Sequence, residues 1–312
     1  METRKIGSLD VSIVGLGCNN FGMRVDAAET DAVVGAAIDA GVTYFDTADI
    51  YGGGESEVLL GKALGIRRKD VIVATKFGGP SRLPEGRRAG EATWVRVACD
   101  RSLAALGMDY IDHLQLHYPD PTTHQEETLA ALDQLVTAGK VRVTGCSNFS
   151  QAMLDEAASI SADQGYAPYA SVQNHYSLLA RGAETDGVLA ACDRNSIAFV
   201  PFFPLESGVL SGKYAKGSAF PEGSRLAAWG ERSKQFVDDE RLDTVARLTA
   251  LAQLRGHTIL DLAMSWLAAN RQIASIITGA TKPEQIRANA KAASAWPMSP
   301  EDLAAVDAAL AS

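Results

Sequence analysis

Four residues, Asp46, Tyr51, Lys76 and His117, stand at spacings that let one pocket collect them. A free phenol titrates near 10 and is a weak acid at neutral pH. A neighbouring ammonium favours the phenolate, and Lys76 is expected to lower the Tyr51 phenol in this way and make it a better proton donor. Asp46 would supply the negative charge that keeps a partly buried lysine charged. His117 is expected to hydrogen-bond a substrate oxygen and orient it. A proton donor with no nucleophile beside it points to reduction of a carbonyl, with the hydride coming from a cofactor. Each residue alone has a plain alternative: Asp46 as a helix cap, Lys76 as a surface lysine, His117 as a satisfied core histidine.

The elements around these residues argue for convergence. Asp46, Lys76 and His117 each end a short apolar, β-branched run, and such runs alternate with helical patterns along the chain. Strands are expected at 14–16, 43–45, 71–75, 110–116, 141–146, 170–174, 197–202 and 274–277. Helices are expected at 29–40, 56–64, 93–106, 126–138, 151–160, 184–193 and 283–292, with a long loop after residue 202. Eight βα units of this kind imply an α/β chain folded as a (β/α)8 TIM barrel, one domain over residues 1–312, with its site at the C-terminal ends of the strands. Arg4–Ile6 and Val11–Ile13, flanking residues 7–10, read as a hairpin closing the barrel bottom. Patterns at 239–254 and 300–310 are two helices extra to the eight units. The stretch 206–229 is too long for an ordinary connector and reads as a functional loop.

Composition narrows the class. The 312 residues are 46% hydrophobic and 21% charged, with a net charge of −9. An acidic balance argues against nucleic acid or an anionic membrane as the main partner. Cys18, Cys99, Cys146 and Cys192 are widely spaced, the usage of a reducing compartment. The N-terminal residues carry no signal-peptide pattern, and no apolar run approaches the roughly 20 residues that span a bilayer. A cytoplasmic protein acting on a small molecule is the expectation; the oligomeric state is left open.

Six stretches carry a resemblance: residues 41–57 (GVTYFDTADIYGGGESE), 74–77 (ATKF), 109–117 (DYIDHLQLH), 139–149 (GKVRVTGCSNF), 203–214 (FPLESGVLSGKY) and 278–289 (TGATKPEQIRAN). In these, and in this order along nearly the whole chain, the sequence resembles the aldo-keto reductase superfamily, closest to its bacterial and channel-β-subunit-like branches. The resemblance implies Tyr51 as general acid with Asp46, Lys76 and His117 completing a tetrad. It implies an extended NADP(H), or less often NAD(H), bound without a Rossmann fold. Ser147, Asn148 and Gln173 match residues that hold the nicotinamide carboxamide, and Phe202 stands where an aromatic stacks on the ring. Leu205, Ser207, Gly208, Leu210, Gly212 and Lys213 match the loop over the pyrophosphate, and Arg225 a basic position near the adenosine. Gly279, Thr281, Lys282, Gln285 and Asn289 match the segment that holds the adenosine and its 2′-phosphate; a helix start there would favour a phosphate. Lys282 stands where many relatives place an arginine, and Ala288 replaces an acidic residue.

Other signals are weaker. The glycines of 15–22 lack dinucleotide-fingerprint spacing, and 208–214 lacks that of a phosphate loop. His113 and His117 could share a strand face, but nothing completes a zinc set, so no metal is expected. Phe21, Met23, Trp94, Tyr118, Tyr176 and Trp229 are candidates to shape the carbonyl-substrate end, with plain packing as the alternative for each. Two other functions stay open beside carbonyl reduction. One is a redox-sensing NADP(H)-binding protein with little turnover; the other makes Lys76 a Schiff-base lysine.

Overall fold

The computed structural model describes residues 1–311 except 215, 218 and 236, and their side chains except those of 225, 232, 234 and 235. Strands β1 (Thr3–Ile6) and β2 (Leu9–Ser12) pair antiparallel. Eight parallel strands follow: β3 (Val14–Gly17), β4 (Tyr44–Asp46), β5 (Ile72–Phe77), β6 (Ile111–Leu116), β7 (Val141–Ser147), β8 (Tyr169–His175), β9 (Ala198–Phe202) and β10 (Ile276–Gly279). Each pairs with the next up to β9, and β10 returns to pair with β3. At the last seam Phe199 bridges to Ile273, and the Ala274 N–H donates to the Phe199 carbonyl at 2.8 Å. The outcome is a nearly closed (β/α)8 barrel with an N-terminal hairpin.

The helices in chain order are α1 (Ala27–Asp39), α2 (Glu55–Leu64), α3 (Ala92–Leu106), α4 (Gln125–Thr137), α5 (Gln151–Gln164), α6 (Gly182–Thr185), α7 (Val188–Arg194), α8 (Arg225–Trp229), α9 (Asp239–Leu254), α10 (Ile259–Ala269), α11 (Pro283–Ala292) and α12 (Pro300–Ala311). Local signals set several starts. Asp26 and Glu29 form a reciprocal capping box at α1. The helices α9 and α12 are the two that lie outside the βα rhythm; they pack on each other, with Arg247 Nε donating to the Ala309 carbonyl at 3.1 Å. No helix among the described residues is long and apolar enough to cross a membrane.

Three details differ from the sequence expectation. The hairpin turn is Gly7-Ser8 alone, because Ile6 pairs with Leu9, so β2 begins two residues earlier. The helix expected at 184–193 is two pieces, broken where Gly187 takes a φ of 77°. The barrel helix before β10 is α10, where the sequence suggested only loop. Ile259, Leu262, Ala263, Trp266 and Leu267 recur at helical spacing, a stripe the sequence reading passed over. A second signal is the capping box of Thr258 and Asp261.

The barrel interior grows more polar toward the strand ends. At the bottom, Ile6, Leu9 and Val11 of the hairpin plug the barrel against Tyr44, Val143 and Val200. Above them Tyr44 Oη and Ser171 Oγ hydrogen-bond the two ring nitrogens of His113, at 2.9 and 3.1 Å. The next layer holds Asp46, Lys76, Gln115 and Gln173, all buried. Side chains alternate along a strand, so His113, Gln115 and His117 rise through these layers on one face of β6 and its extension.

Candidate active site

Asp46 is the hub of the upper layer. Its Oδ2 takes a 2.5 Å hydrogen bond from Lys76 Nζ, while Oδ1 accepts from Gln115 Nε2 at 3.2 Å and Gln173 Nε2 at 3.0 Å. Lys76 is fully buried and also donates to the Thr47 carbonyl at 2.9 Å. Burial works against its charge, but Asp46 and Tyr51 outweigh that, and the ammonium is held above its ordinary value. An ammonium held in its charged form and bonded to Asp46 and the Thr47 carbonyl favours an electrostatic role over a Schiff-base one.

Tyr51 begins a tight turn in which Gly52, Gly53 and Gly54 all have positive φ. At Gly52 a Cβ would meet the Phe21 carbonyl oxygen at 2.5 Å, so only glycine lets the turn close and carry the tyrosine over the barrel mouth. The Lys76 Nζ lies 5.2 Å from the centroid of the Tyr51 ring. Here the structure corrects an expectation. Burial pushes the phenol up, Lys76 pulls it down and Asp46 adds to the rise, leaving it above its ordinary value. Tyr51 is therefore a protonated donor throughout the neutral range.

His117 meets Tyr51 edge to face, with centroids 5.7 Å apart, and stacks on Tyr118 at 4.6 Å. Burial, with Lys76 nearby, holds its imidazole down to about 3, so it is neutral and can give or take one hydrogen bond. Its Nδ1 is buried without a partner. His113 is lowered to about 3 for the same reasons. With both ring nitrogens engaged, it has none to offer a metal, and no group of three metal-binding side chains gathers among the described residues.

These groups face a cavity of about 740 Å³, within the usual range for a small-molecule site. Asp46, Tyr51, His117, Tyr118, Ser147, Asn148, Gln173 and Phe202 line one end; Leu205, Ser207, Gly208 and Lys213 line a wall. Gly279, Thr281, Gln285 and Asn289 line the end at the start of α11. Asn148, at φ 63°, donates from Nδ2 to the His117 carbonyl and to Ser147 Oγ, both at 3.0 Å. Phe203, Glu206 and Ser207 also have positive φ, each costing about 1–3 kcal/mol that the surrounding structure must offset. The residues suit a dinucleotide: an aromatic platform, amides, a loop whose Gly208 gives space where a Cβ would meet Lys213 Cε at 2.7 Å, and a helix N-terminus.

Other expected site residues are placed elsewhere. Phe21 is fully buried packing, Trp94 is buried beneath Arg101, and Tyr176 packs on Phe199 and Trp266 while its hydroxyl donates to Glu184. Met23 is 68% exposed, and Trp229 is half-buried against the core. None of the five lines the cavity, nor do buried Leu210, Gly212 or the exposed Lys282, which caps α11 by position alone. The side chain of Arg225 lies outside the described residues.

Residues the sequence reading passed over also matter. Gln115 was recoverable from strand alternation with His113 and His117. Phe203 lines the cavity just past the end of β9, and Arg24, Ser224 and Leu260 line it from loops and helices that no strand-end rule reaches. Asp49 is a partly buried carboxyl two residues before Tyr51. Burial and the nearby Glu57 push it up to about 7, and its Oδ1 has no hydrogen-bond partner.

Acid is expected to destabilise this arrangement. His113 and His117 take a proton near 3 when folded and near 6.5 when unfolded, so between those values the unfolded chain binds more protons and stability falls as pH is lowered. Asp49 acts oppositely, its contribution present at low pH and lost as pH rises toward 7. Two imidazoles outweigh one carboxyl, so the urea midpoint should be lower at pH 4.5 than at pH 7, with a shallower drop in His113→Asn. An unchanged or higher midpoint at pH 4.5 would refute this.

Residues 13–311 match the model of the aldo/keto reductase family. A rice protein described as "Probable voltage-gated potassium channel subunit beta" (Oryza sativa) is 34% identical over 94% of this chain and 90% of its own. The L-glyceraldehyde 3-phosphate reductase of Escherichia coli K12 is 30% identical over 93% of this chain and 86% of its own. The NADP(+) aldo-keto reductase yakc of Schizosaccharomyces pombe is 32% identical over the same shares.

Proposed function

Because the chain belongs to the aldo/keto reductase family, we propose that this oxidoreductase reduces aldehydes or ketones to alcohols with NADPH, Tyr51 acting as general acid. The observation that carries this reading is the meeting of Tyr51, Lys76, Asp46 and His117 at the floor of one cavity whose far end is the start of α11. A bound nicotinamide would supply the hydride.

The rest is done by this chain. Tyr51 donates its phenolic proton to the carbonyl oxygen as negative charge builds there, and the Lys76 ammonium stabilises the phenolate left behind. Asp46 keeps Lys76 charged and, through Gln173, ties the tetrad to the amide wall. Neutral His117 hydrogen-bonds the same oxygen and fixes its angle. Ser147, Asn148 and Gln173 hold the carboxamide, and Phe202 backs the ring. Ser207, Gly208 and Lys213 face the pyrophosphate. Thr281, Gln285 and Asn289 would take the adenosine. By the family resemblance Lys282 and Arg225 would be the cations nearest a 2′-phosphate, which supports NADPH over NADH.

The test is a titration with each dinucleotide, followed by NADPH oxidation against a panel of aldehydes and ketones. Turnover of at least one carbonyl is expected, with NADPH bound at least about tenfold more tightly than NADH, or about 1.4 kcal/mol. The channel-subunit relatives favour a second reading, a redox-sensing protein that holds NADP(H) and hardly turns over. Tight NADPH binding with no carbonyl consumed would select it.

A further inference from the structure

Behind the aromatic wall of the cavity lies a polar cluster that this chemistry does not use. Phe202 lines the cavity and stacks on His175, with centroids 5.5 Å apart and planes 12° from parallel. His175 lines a separate hollow of about 330 Å³, so its imidazole lies on the face of Phe202 turned away from the cavity. His175 Nε2 donates to Glu206 Oε1 at 2.6 Å, and Ser177 Oγ donates to the same oxygen at 2.6 Å. Arg241 of α9 stands 3.8 Å from the other oxygen. Glu206 is buried, and a buried carboxylate is tolerated only when paired and hydrogen-bonded, as here.

The backbone of Glu206 adds a second constraint. Its φ of 45° lies between Phe203 at 52° and Ser207 at 57°, a region that residues other than glycine hold only where their surroundings fix them. Ser207 and Gly208, the next two residues, line the same cavity as Phe202. The side-chain bonds of Glu206 therefore anchor both walls.

We propose that Glu206 is a positioning residue for the nicotinamide end of the cofactor, holding His175 flat against Phe202 and locking the left-handed turn that presents Ser207 and Gly208. The proposal rests on reading the cavity as a dinucleotide site. Neither Glu206 nor His175 lines that cavity, so both act through the geometry of the bound dinucleotide and not through proton transfer.

The experiment compares the parent with Glu206→Gln, His175→Ala and the double variant. NADPH fluorescence titration, single-turnover hydride transfer and melting temperature are measured for each. Each single variant should weaken NADPH binding and slow hydride transfer about tenfold, and the double no more than about tenfold, since the two act on one ring. The KM for the carbonyl should stay within about twofold, since its contacts are untouched. The His175 side chain is 40% exposed, so its variant can be read even if Glu206→Gln folds poorly. Parent-like binding and transfer in both single variants, or losses that multiply in the double, overturn the proposal while leaving the dinucleotide reading intact. A parent that binds neither NADPH nor NADH overturns that reading and the proposal together.

Discussion

Tyr51→Phe should lower kcat/KM for carbonyl reduction by about a thousandfold while leaving NADPH affinity within about twofold. The phenylalanine ring keeps the edge contact with His117 and the face under Lys76. Only the hydroxyl is lost, and with it the phenol beside the buried Lys76 ammonium at the cavity floor. Because the phenol is held above its ordinary value, the parent rate should also be flat across the neutral range. His117, lowered to about 3, adds no step there. NADPH oxidation at saturating dinucleotide measures both. A variant within tenfold of the parent would mean that another group delivers the proton.

Lys76→Met should do something different: abolish activity and destabilise the barrel. The methionine fills the space of the lysine stem but leaves Asp46 buried with two amide partners and no opposite charge. Breaking a buried pair in this way costs about 3–5 kcal/mol, whereas replacing both partners is far milder. For a chain of this size that lowers the melting temperature by about 10 °C. The double variant Asp46→Asn with Lys76→Met should recover more than half of that loss and stay inactive. Calorimetry of the two variants decides the matter. Equal stability of Lys76→Met and the parent would show that the pair carries no structural weight.

The order of elements was legible because a parallel barrel writes itself as alternating apolar runs and helical patterns, from Val14–Leu16 to Pro283–Ala292. What escaped was α10, although Ile259, Leu262, Ala263, Trp266 and Leu267 recur at helical spacing, and the break at Gly187, which one glycine imposes. The convergence of Asp46, Lys76 and His117 was legible because each stands at a strand end, and strand ends share a mouth. Tyr176 follows the end of β8 and Trp94 sits in the first turn of α3; the structure places both in packing, and the sequence does not say which way such an aromatic points. The direction of the Tyr51 shift was missed for a related reason. A sequence announces the neighbouring charge of Lys76 but not how deeply both groups are buried. Gln115 and Glu206 act through partners 69 and 31 residues away, distances that no local spacing encodes.

The bottom of the barrel has a bearing on how the chain reaches this state. Arg4 of β1 donates to the carbonyls of Asn270 and Ile273 at 2.7 and 2.6 Å, and to that of Ala268, where α10 ends and the approach to β10 begins. These bonds join residues 264 to 269 positions apart, so they can seat the stopper only after residue 273 has been made. Contacts of such long sequence separation form late and slowly. On the ribosome the hairpin residues emerge long before residues 268–273 and cannot make these contacts until those follow, leaving Ile6, Leu9 and Val11 bare in the interval. For a nascent chain, that is when aggregation and chaperone capture compete with folding.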